Sequence, residues 1–130
     1  MTPSDQVKTI LLACSQAGAR MFRMQIGLAW IGSRITKNAD GSITIHDPRP
    51  LKSGTVGMCD TGGWTSVIVT PEMVGQRIAV STWIEVKQGS GRPSKEQTAF
   101  IQAAKLAGCR AGVARSVPDA LAILTAPPSE

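Results

Sequence analysis

The sequence predicts a mixed α/β domain, because segments with helical and with strand periodicity alternate along the chain. Residues 4–17 carry apolar side chains at helical spacing, whereas residues 21–26 alternate apolar and polar side chains as a half-buried strand does. Residues 77–86 form a strongly apolar run that ends in charged side chains. The predicted order is α-β-β-β-α-β-α, with a mixed β-sheet flanked by helices.

The first half of the chain is predicted to contain one helix, one strand and one hairpin. Ser4 can cap the helix of residues 4–17, and Gly18 is a natural stop after it. The turn Asn-Ala-Asp-Gly at 38–41 predicts a hairpin between the short apolar runs on either side. Residues 47–57, which contain two prolines, are predicted to form a loop.

The second half alternates strands with capped helices. The predicted elements are a strand at 64–69, a helical turn at 70–75, a strand at 77–86, a helix from Ser94 to Gly108, a strand at 109–114 and a helix from Ser116 to Leu124. Both helix starts have the spacing of a capping box, formed by Ser94 with Gln97 and by Ser116 with Asp119.

Size and composition favour one cytoplasmic domain. The 130 residues suffice for a single domain at 1–125, followed by a flexible tail at 126–130. No apolar run could span a bilayer, and the N-terminus lacks the features of a signal peptide. The three cysteines are odd in number and widely separated, which argues against a zinc finger and against a disulfide framework.

The net charge of +5 fits a polyanionic partner such as nucleic acid, although a positive charge can also serve only to prevent self-association. The scarcity of aromatic residues, with three Trp, two Phe and no Tyr, disfavours a stacking platform for single strands. His46 is the only histidine, which argues against hydrolases that depend on a histidine base.

The segment that carries most chemistry is Trp83–Lys87, where Glu85 and Lys87 stand two residues apart. On a strand they project to the same face. Asp60 is a candidate partner, and a hairpin between residues 60–69 and 77–86 would bring it to Glu85. Two carboxylates and a lysine can bind a hard divalent cation and steady an attacking water, which is the chemistry of a phosphodiesterase.

Each of these features also has a structural interpretation. Glu85 and Lys87 could form a solvated salt bridge on an edge strand, and Asp60 could cap its own turn beside glycine. The loop Gln88–Pro93 is glycine-rich and basic but lacks a Walker lysine, so it is either a substrate-contacting loop or a flexible connection. Two alternatives to a nuclease therefore stay open: a basic DNA-binding module with a structural acid pair, and a small nucleotide-binding protein.

Several motifs together resemble the VRR-NUC family (virus-type replication-repair nucleases) of the PD-(D/E)xK superfamily. The resemblance covers residues 4–124 and is carried, in order, by Ala19–Arg23, Gly57–Asp60, Trp83–Lys87, Gly91–Gln97 and Ala111–Ser116. It implies a restriction-endonuclease-like core. It also implies a homodimer that cuts branched DNA, Holliday junctions especially, and a dimer suits a substrate that needs two symmetric cuts.

The resemblance also assigns roles to individual residues. Asp60, Glu85 and the backbone carbonyl of Val86 would bind Mg²⁺ or Mn²⁺, and Lys87 would activate the attacking water. Gln97 matches a helix glutamine of the family that supports the site.

Other residues are assigned to metal binding or to DNA. Asp5 stands where the family has a glutamate on its first helix, which makes it a further candidate metal ligand. Candidates for holding the DNA backbone are Arg23, Arg49, Arg92, Lys95 and Arg115.

Overall fold

The computed structural model describes residues 2–25 and 27–126, and over these ranges the chain is a mixture of helices and short strands. The helices are α1 (Pro3–Gln16), α2 (Lys95–Leu106) and α3 (Val117–Thr125), with a 3-10 turn at Pro71–Met73. The strands are β1 (Arg20–Arg23), β2 (Gly27–Ile31), β3 (Arg34–Lys37), β4 (Ile43–His46), β5 (Arg49–Ser53), β6 (Thr61–Trp64), β7 (Thr82–Val86) and β8 (Arg110–Ala114). The predicted α/β class is confirmed.

The strands pair two by two within the described ranges. β1 pairs with β6, β2 pairs with β5, β3 pairs with β4, and β7 pairs with β8. The β2–β5 and β3–β4 pairs are antiparallel and the β7–β8 pair is parallel. Contacts divide the chain into a first unit, Met1–Cys14 with Met21–Gly62, and a second unit, Ser15–Arg20 with Gly63–Glu130. The single domain at 1–125 stays a prediction.

In the first unit, α1 begins at Pro3, one residue earlier than predicted. Thr2 caps it instead of Ser4, because the Thr2 hydroxyl accepts from the backbone N–H of Asp5 at 3.1 Å. The Thr2 N–H in turn donates to Oδ2 of Asp5, also at 3.1 Å. This reciprocal pair is a capping box that satisfies two of the N–H groups a helix start leaves without partners.

Two antiparallel pairs, β2–β5 and β3–β4, lie wholly within the first unit. The predicted hairpin around residues 38–41 is confirmed as β3–β4, in which Ile35 lies opposite Ile45. The prediction of a loop over residues 47–57 is wrong in part, because β5 lies within it and pairs with β2. The strand expected at 21–26 ends at Arg23, and Ile26 lies outside the described residues.

The second unit is organised around the parallel pair β7–β8. Trp83 lies opposite Ala111, and Glu85 lies opposite Val113. A parallel pair needs a crossover connection, and α2 provides it. Ala111 packs with buried Ala104 of α2, whereas a side chain added at the next residue, Gly112, would lie 3.0 Å from Ile123 of α3. Since neighbouring strand residues point to opposite faces, α2 and α3 cover opposite faces of the pair.

The packing of α2 relies on aromatic and small side chains. Trp64, Trp83 and Phe100 form an edge-to-face cluster with ring centroids 5.3 to 6.0 Å apart, beside the buried Ala104 and Cys109. Such aromatic pairs add to the free energy gained by burying apolar area. The cluster therefore fixes α2 on the face of β7 that carries Trp83.

One predicted strand is misplaced and another is shorter than expected. The strand predicted at 64–69 is wrong, because β6 covers Thr61–Trp64 and residues 65–69 form no strand. The strand predicted at 77–86 is confined to β7. The predicted hairpin between residues 60–69 and 77–86 is wrong, because β6 pairs with β1 and β7 pairs with β8.

One of the two predicted capping boxes is fully formed and the other is formed in part. The Ser94–Gln97 capping box of α2 is confirmed. At α3, the Ser116 hydroxyl accepts from the backbone N–H of Asp119, but the Asp119 carboxylate accepts from the backbone N–H of Arg115, so the second box is only half formed.

Residues 127–130 of the predicted tail lie outside the described residues. None of the helices in residues 2–25 and 27–126 combines the length and the apolar character that a membrane span requires.

Candidate functional site

The alternation of side chains along β7 creates a polar group at its C-terminal end. Trp83, Glu85 and Lys87 are half-buried, whereas Ile84 and Val86 between them are exposed. This is the period of two that a strand imposes. The expectation that Glu85 and Lys87 share a face is therefore confirmed, and it is the face on which α2 packs.

Glu85 is held by two donors from the same unit. Nζ of Lys87 lies 3.1 Å from Oε1 of Glu85, and Nε2 of Gln97 donates to the same oxygen at 3.0 Å. The two charged side chains keep 24% (Lys87) and 30% (Glu85) of their surface exposed, so the pair is partly desolvated but still reached by solvent. The structure thus brings three of the predicted site residues together around one carboxylate oxygen.

Gln97 is oriented by two contacts with opposite requirements. Its Oε1 accepts from the backbone N–H of Ser94 at 2.8 Å, which completes the cap of α2. Its Nε2 is then left to donate to Glu85. Because an amide has one acceptor end and one donor end, the cap fixes the end that meets the carboxylate. The start of α2 and the end of β7 are joined through this single side chain.

A pocket of about 340 Å³ opens beside Glu85 in the second unit. Its lining consists of Trp83, Ile84, Glu85, Glu96, Gln97, Phe100 and Ile101. The walls are mostly apolar, and two carboxylates provide the charge. Glu96 and the aromatic walls were not identified from the sequence, because no motif marks them and they depend on how α2 packs on β7.

Asp60 belongs to the first unit. Its backbone carbonyl accepts from the N–H of Met24 at 2.8 Å, and its side chain is exposed. Asp60 and Arg23 line a second pocket of about 380 Å³, and Nη1 of Arg23 donates to the Ser4 hydroxyl at 3.0 Å. A shared metal site of Asp60 with Glu85, which belongs to the second unit, stays a prediction.

Asp5 serves the start of α1. The hydroxyl of Thr2 donates to Oδ2 of Asp5 at 2.6 Å, and the Thr2 N–H adds a second bond to the same oxygen. The side-chain bond from Thr2, followed by the backbone bond, lowers the pKa of Asp5 below its ordinary value. Asp5 thus completes the N-terminal cap of α1, and its role as a metal ligand stays a prediction.

The basic residues predicted to hold DNA are divided between the units. Arg23 and Arg49 lie in the first unit, on β1 and β5, and Arg92, Lys95 and Arg115 lie in the second. Arg115 has a contact that sequence reasoning missed: its Nη1 donates to the carbonyls of Gly89 and Gly91. No motif signals that contact, because residues 24 to 26 positions apart make it.

Comparisons of the chain with protein-family models, with curated proteins and with solved structures give no match. The side chains around Glu85 are therefore the basis for proposing a function.

The oxygen ligands available at Glu85 suit an ion such as Mg²⁺ better than a metal whose ligands must all come from the protein. Oε2 of Glu85 takes no hydrogen bond from the described residues, which leaves one hard oxygen ligand for a cation. Residues 2–25 and 27–126 contain no cluster of three His, Cys, Asp or Glu that could hold a metal ion. Mg²⁺ tolerates such a sparse donor set, since it keeps several waters and is completed by substrate phosphates.

Proposed function

We propose that this chain is a metal-dependent endonuclease of the VRR-NUC type, with a restriction-endonuclease-like core, that hydrolyses phosphodiesters in branched DNA. The observation that carries the proposal is the arrangement around Glu85. Oε1 is held by Lys87 and Gln97, while Oε2 has no donor among the described residues. A carboxylate fixed on one side and open on the other is suited to binding a hard cation.

Each residue of the site has a proposed role in hydrolysis. A bound Mg²⁺ or Mn²⁺ would polarise the scissile phosphate and lower the pKa of a coordinated water. Glu85, the carbonyl of Val86 and Asp60 are the proposed ligands. Lys87 offers an ammonium group to offset the charge that develops on the phosphate oxygens in the transition state. Gln97 keeps the Glu85 carboxylate in one orientation through its bond to Oε1.

The net positive charge and the family resemblance support DNA as the substrate and a homodimer as the active form. Arg23, Arg49, Arg92 and Lys95 are proposed to contact DNA phosphates, which provides affinity without base specificity. A homodimer would carry two copies of the site and could make paired cuts in a four-way junction. The proposed place of action is the cytoplasm.

The experiment that tests this function is cleavage of a labelled four-way DNA junction beside a linear duplex and a single strand. Each substrate is incubated with the full chain in Mg²⁺, in Mn²⁺ and in EDTA. The proposal predicts paired nicks in the junction that require the metal. Binding without any cleavage in either metal would reject the catalytic proposal.

A second candidate, a non-catalytic basic DNA-binding module, is favoured by one observation. The described residues contain no cluster of three potential protein ligands for a metal. In that case the Glu85–Lys87 ion pair is structural, and DNA binding persists in EDTA and in a Glu85→Ala variant. The same gel that scores cleavage scores binding, so one experiment separates the two candidates.

A further inference from the structure

One of the three tryptophans of the chain lies on the surface. Trp64 and Trp83 belong to the aromatic cluster that holds α2, and Nε1 of Trp83 donates to the Ser81 hydroxyl at 2.8 Å. Trp30, on β2, keeps 54% of its surface exposed. Among the described residues, its ring contacts no other aromatic ring and its indole N–H has no acceptor. A large flat side chain with an open ring and a free donor is typical of a recognition surface.

The pairing of β2 with β5 places a lysine and further apolar side chains on the same face as Trp30. Residues directly opposite each other in an antiparallel pair share a face, as do residues two apart on one strand. Trp30 lies opposite Pro50, and Leu28, which is 58% exposed, lies opposite Lys52. Lys52 is therefore a diagonal neighbour of Trp30, at about 7 to 8 Å between Cα atoms, which long side chains can bridge. We name these four residues the Trp30 face.

The charge on this strand pair is wholly positive. β5 contains Arg49 and Lys52, whereas neither β2 nor β5 contains an acidic residue. Neither cation forms an ion pair with the described part of the chain, and no described helix or further strand packs extensively on the pair. A second copy of the chain that bound through the same face would add two more cations and no carboxylate. The charge therefore favours an anionic partner over a dimer contact here.

We propose that the Trp30 face binds an unpaired base of branched DNA, with the base stacked on Trp30 and a neighbouring phosphate held by Lys52. Aromatic side chains stack on bases of any sequence, and basic side chains beside them hold the backbone. One tryptophan provides no platform along a single strand, but it matches an isolated base that has lost its partner at a branch point. Because stacking requires such a base, this contact discriminates branched DNA from a continuous duplex, whereas phosphate contacts only position the protein. The proposal rests on the proposed function for its ligand, DNA.

The test measures binding in EDTA, so that metal-dependent cleavage does not interfere. The full chain is titrated into two labelled duplexes that differ only in one unpaired thymine, and the wild type is expected to bind the bulged duplex more tightly. Trp30→Ala is predicted to weaken binding of the bulged duplex about 5- to 150-fold, the contribution of one stacked base, and to leave binding of the continuous duplex nearly unchanged. Trp30→Phe is predicted to keep most of the preference, because an aromatic ring remains.

Two variants on the same strand pair serve as controls. Leu51→Ala removes an exposed apolar side chain from the opposite face of β5 and should bind both duplexes as the wild type does. Lys52→Gln should reduce the magnitude of the slope of log K against log salt for the bulged duplex by about 1, since one phosphate contact is lost.

Three results would overturn the proposal. They are a wild type without preference for the bulged duplex, a Trp30→Ala variant that keeps the preference, and an equal loss in Leu51→Ala, which would indicate a disturbed strand pair. Sedimentation tests the competing occupant: a wild-type dimer that Trp30→Ala converts to a monomer would assign the face to a second copy and overturn the proposal, and an unchanged mass supports it.

The outcomes for base binding and for catalysis are separable. A bulge preference that depends on Trp30, without cleavage of any DNA in Mg²⁺ or Mn²⁺, would reject the nuclease and leave the base site intact. Metal-dependent cleavage by a wild type that shows no bulge preference in EDTA would do the reverse.

Discussion

Nε2 of Gln97, on the first turn of α2, lies 3.0 Å from Oε1 of Glu85 on β7. The other end of the same amide completes the N-terminal cap of α2 through Ser94. The integrity of a helix start and the orientation of the proposed catalytic carboxylate are therefore coupled through one side chain. This coupling leads to predictions in which stability and activity respond differently to closely related substitutions.

Substitution of Gln97 by glutamate should reduce activity with little loss of stability. Gln97→Glu keeps an oxygen for the Ser94 N–H, so the free energy of unfolding should change by less than about 0.5 kcal/mol. It also replaces the donor to Glu85 by a second carboxylate, and the repulsion should reduce cleavage at least about tenfold. Urea unfolding and initial cleavage rates measure the two effects. A Gln97→Glu variant with wild-type activity would show that the contact to Glu85 is irrelevant to function.

Removal of the Lys87 charge should also affect activity far more than stability. The Glu85–Lys87 pair is partly exposed, and such pairs contribute less than about 1 kcal/mol to folding. Loss of a charge that stabilises the transition state should reduce cleavage by about 100-fold or more. Lys87→Met should therefore unfold near the wild-type urea concentration but cut poorly. Lys105→Met, on the last turn of α2, is the matched control and should cut normally.

The two helix caps should differ in their effect on activity. Ser94→Ala and Ser116→Ala each remove a side chain that accepts from the N–H three residues on, at a cost of about 1 kcal/mol. Only Ser94→Ala removes a bond to Gln97 itself, because the Ser94 hydroxyl accepts from the Gln97 backbone N–H at 3.0 Å. The midpoint temperature of thermal unfolding should fall by a similar amount in both variants, and the cleavage rate should fall only in Ser94→Ala. Equal losses of activity would mean that global stability, not the position of Gln97, governs cleavage.

The start of α1 should titrate in acid. Bonds from Thr2 lower the pKa of Asp5 in the folded chain, so its stabilising effect is present above the ordinary value of about 3.9. That effect is lost as the pH falls through the lower folded value. Thr2→Val removes the hydroxyl donor and should raise the pKa of Asp5, measured by NMR of its side-chain carboxyl carbon. Asp40 is the internal control, because its pKa is lowered by Ser42 and should not respond.

Local features of the fold were predictable from the sequence, and pairings between distant segments were not. The capping box at Ser94 and the hairpin around residues 38–41 depend on side chains within a few positions of one another. The pairing of β2 with β5 depends on segments about 20 residues apart, and Pro50 within β5 reads as a loop signal. The predicted hairpin of residues 60–69 with 77–86 was wrong for the same reason, since apolar character alone does not choose a partner strand.

In the candidate site, too, contacts between nearby residues could be predicted from the sequence and contacts between distant segments could not. The shared face of Glu85 and Lys87 follows from the period of a strand and was predicted. The bond from Gln97 to Glu85 requires α2 to lie across β7, which the aromatic packing of Trp83 with Phe100 determines. The bonds of Arg115 require the 88–91 turn to fold back on the end of β8, and no sequence pattern specifies that contact.

The proposed role of Glu85 as a metal ligand is tested by comparing two carboxylates that line the same pocket. Initial rates of four-way junction cleavage in Mg²⁺ are measured for the wild type, Glu85→Gln and Glu96→Gln. We expect Glu96→Gln to cut at a rate close to the wild type, and Glu85→Gln to lose about 100-fold or more because its carboxylate is a metal ligand. Wild-type cleavage by Glu85→Gln, or equal cleavage by the wild type in EDTA, would contradict this role of Glu85.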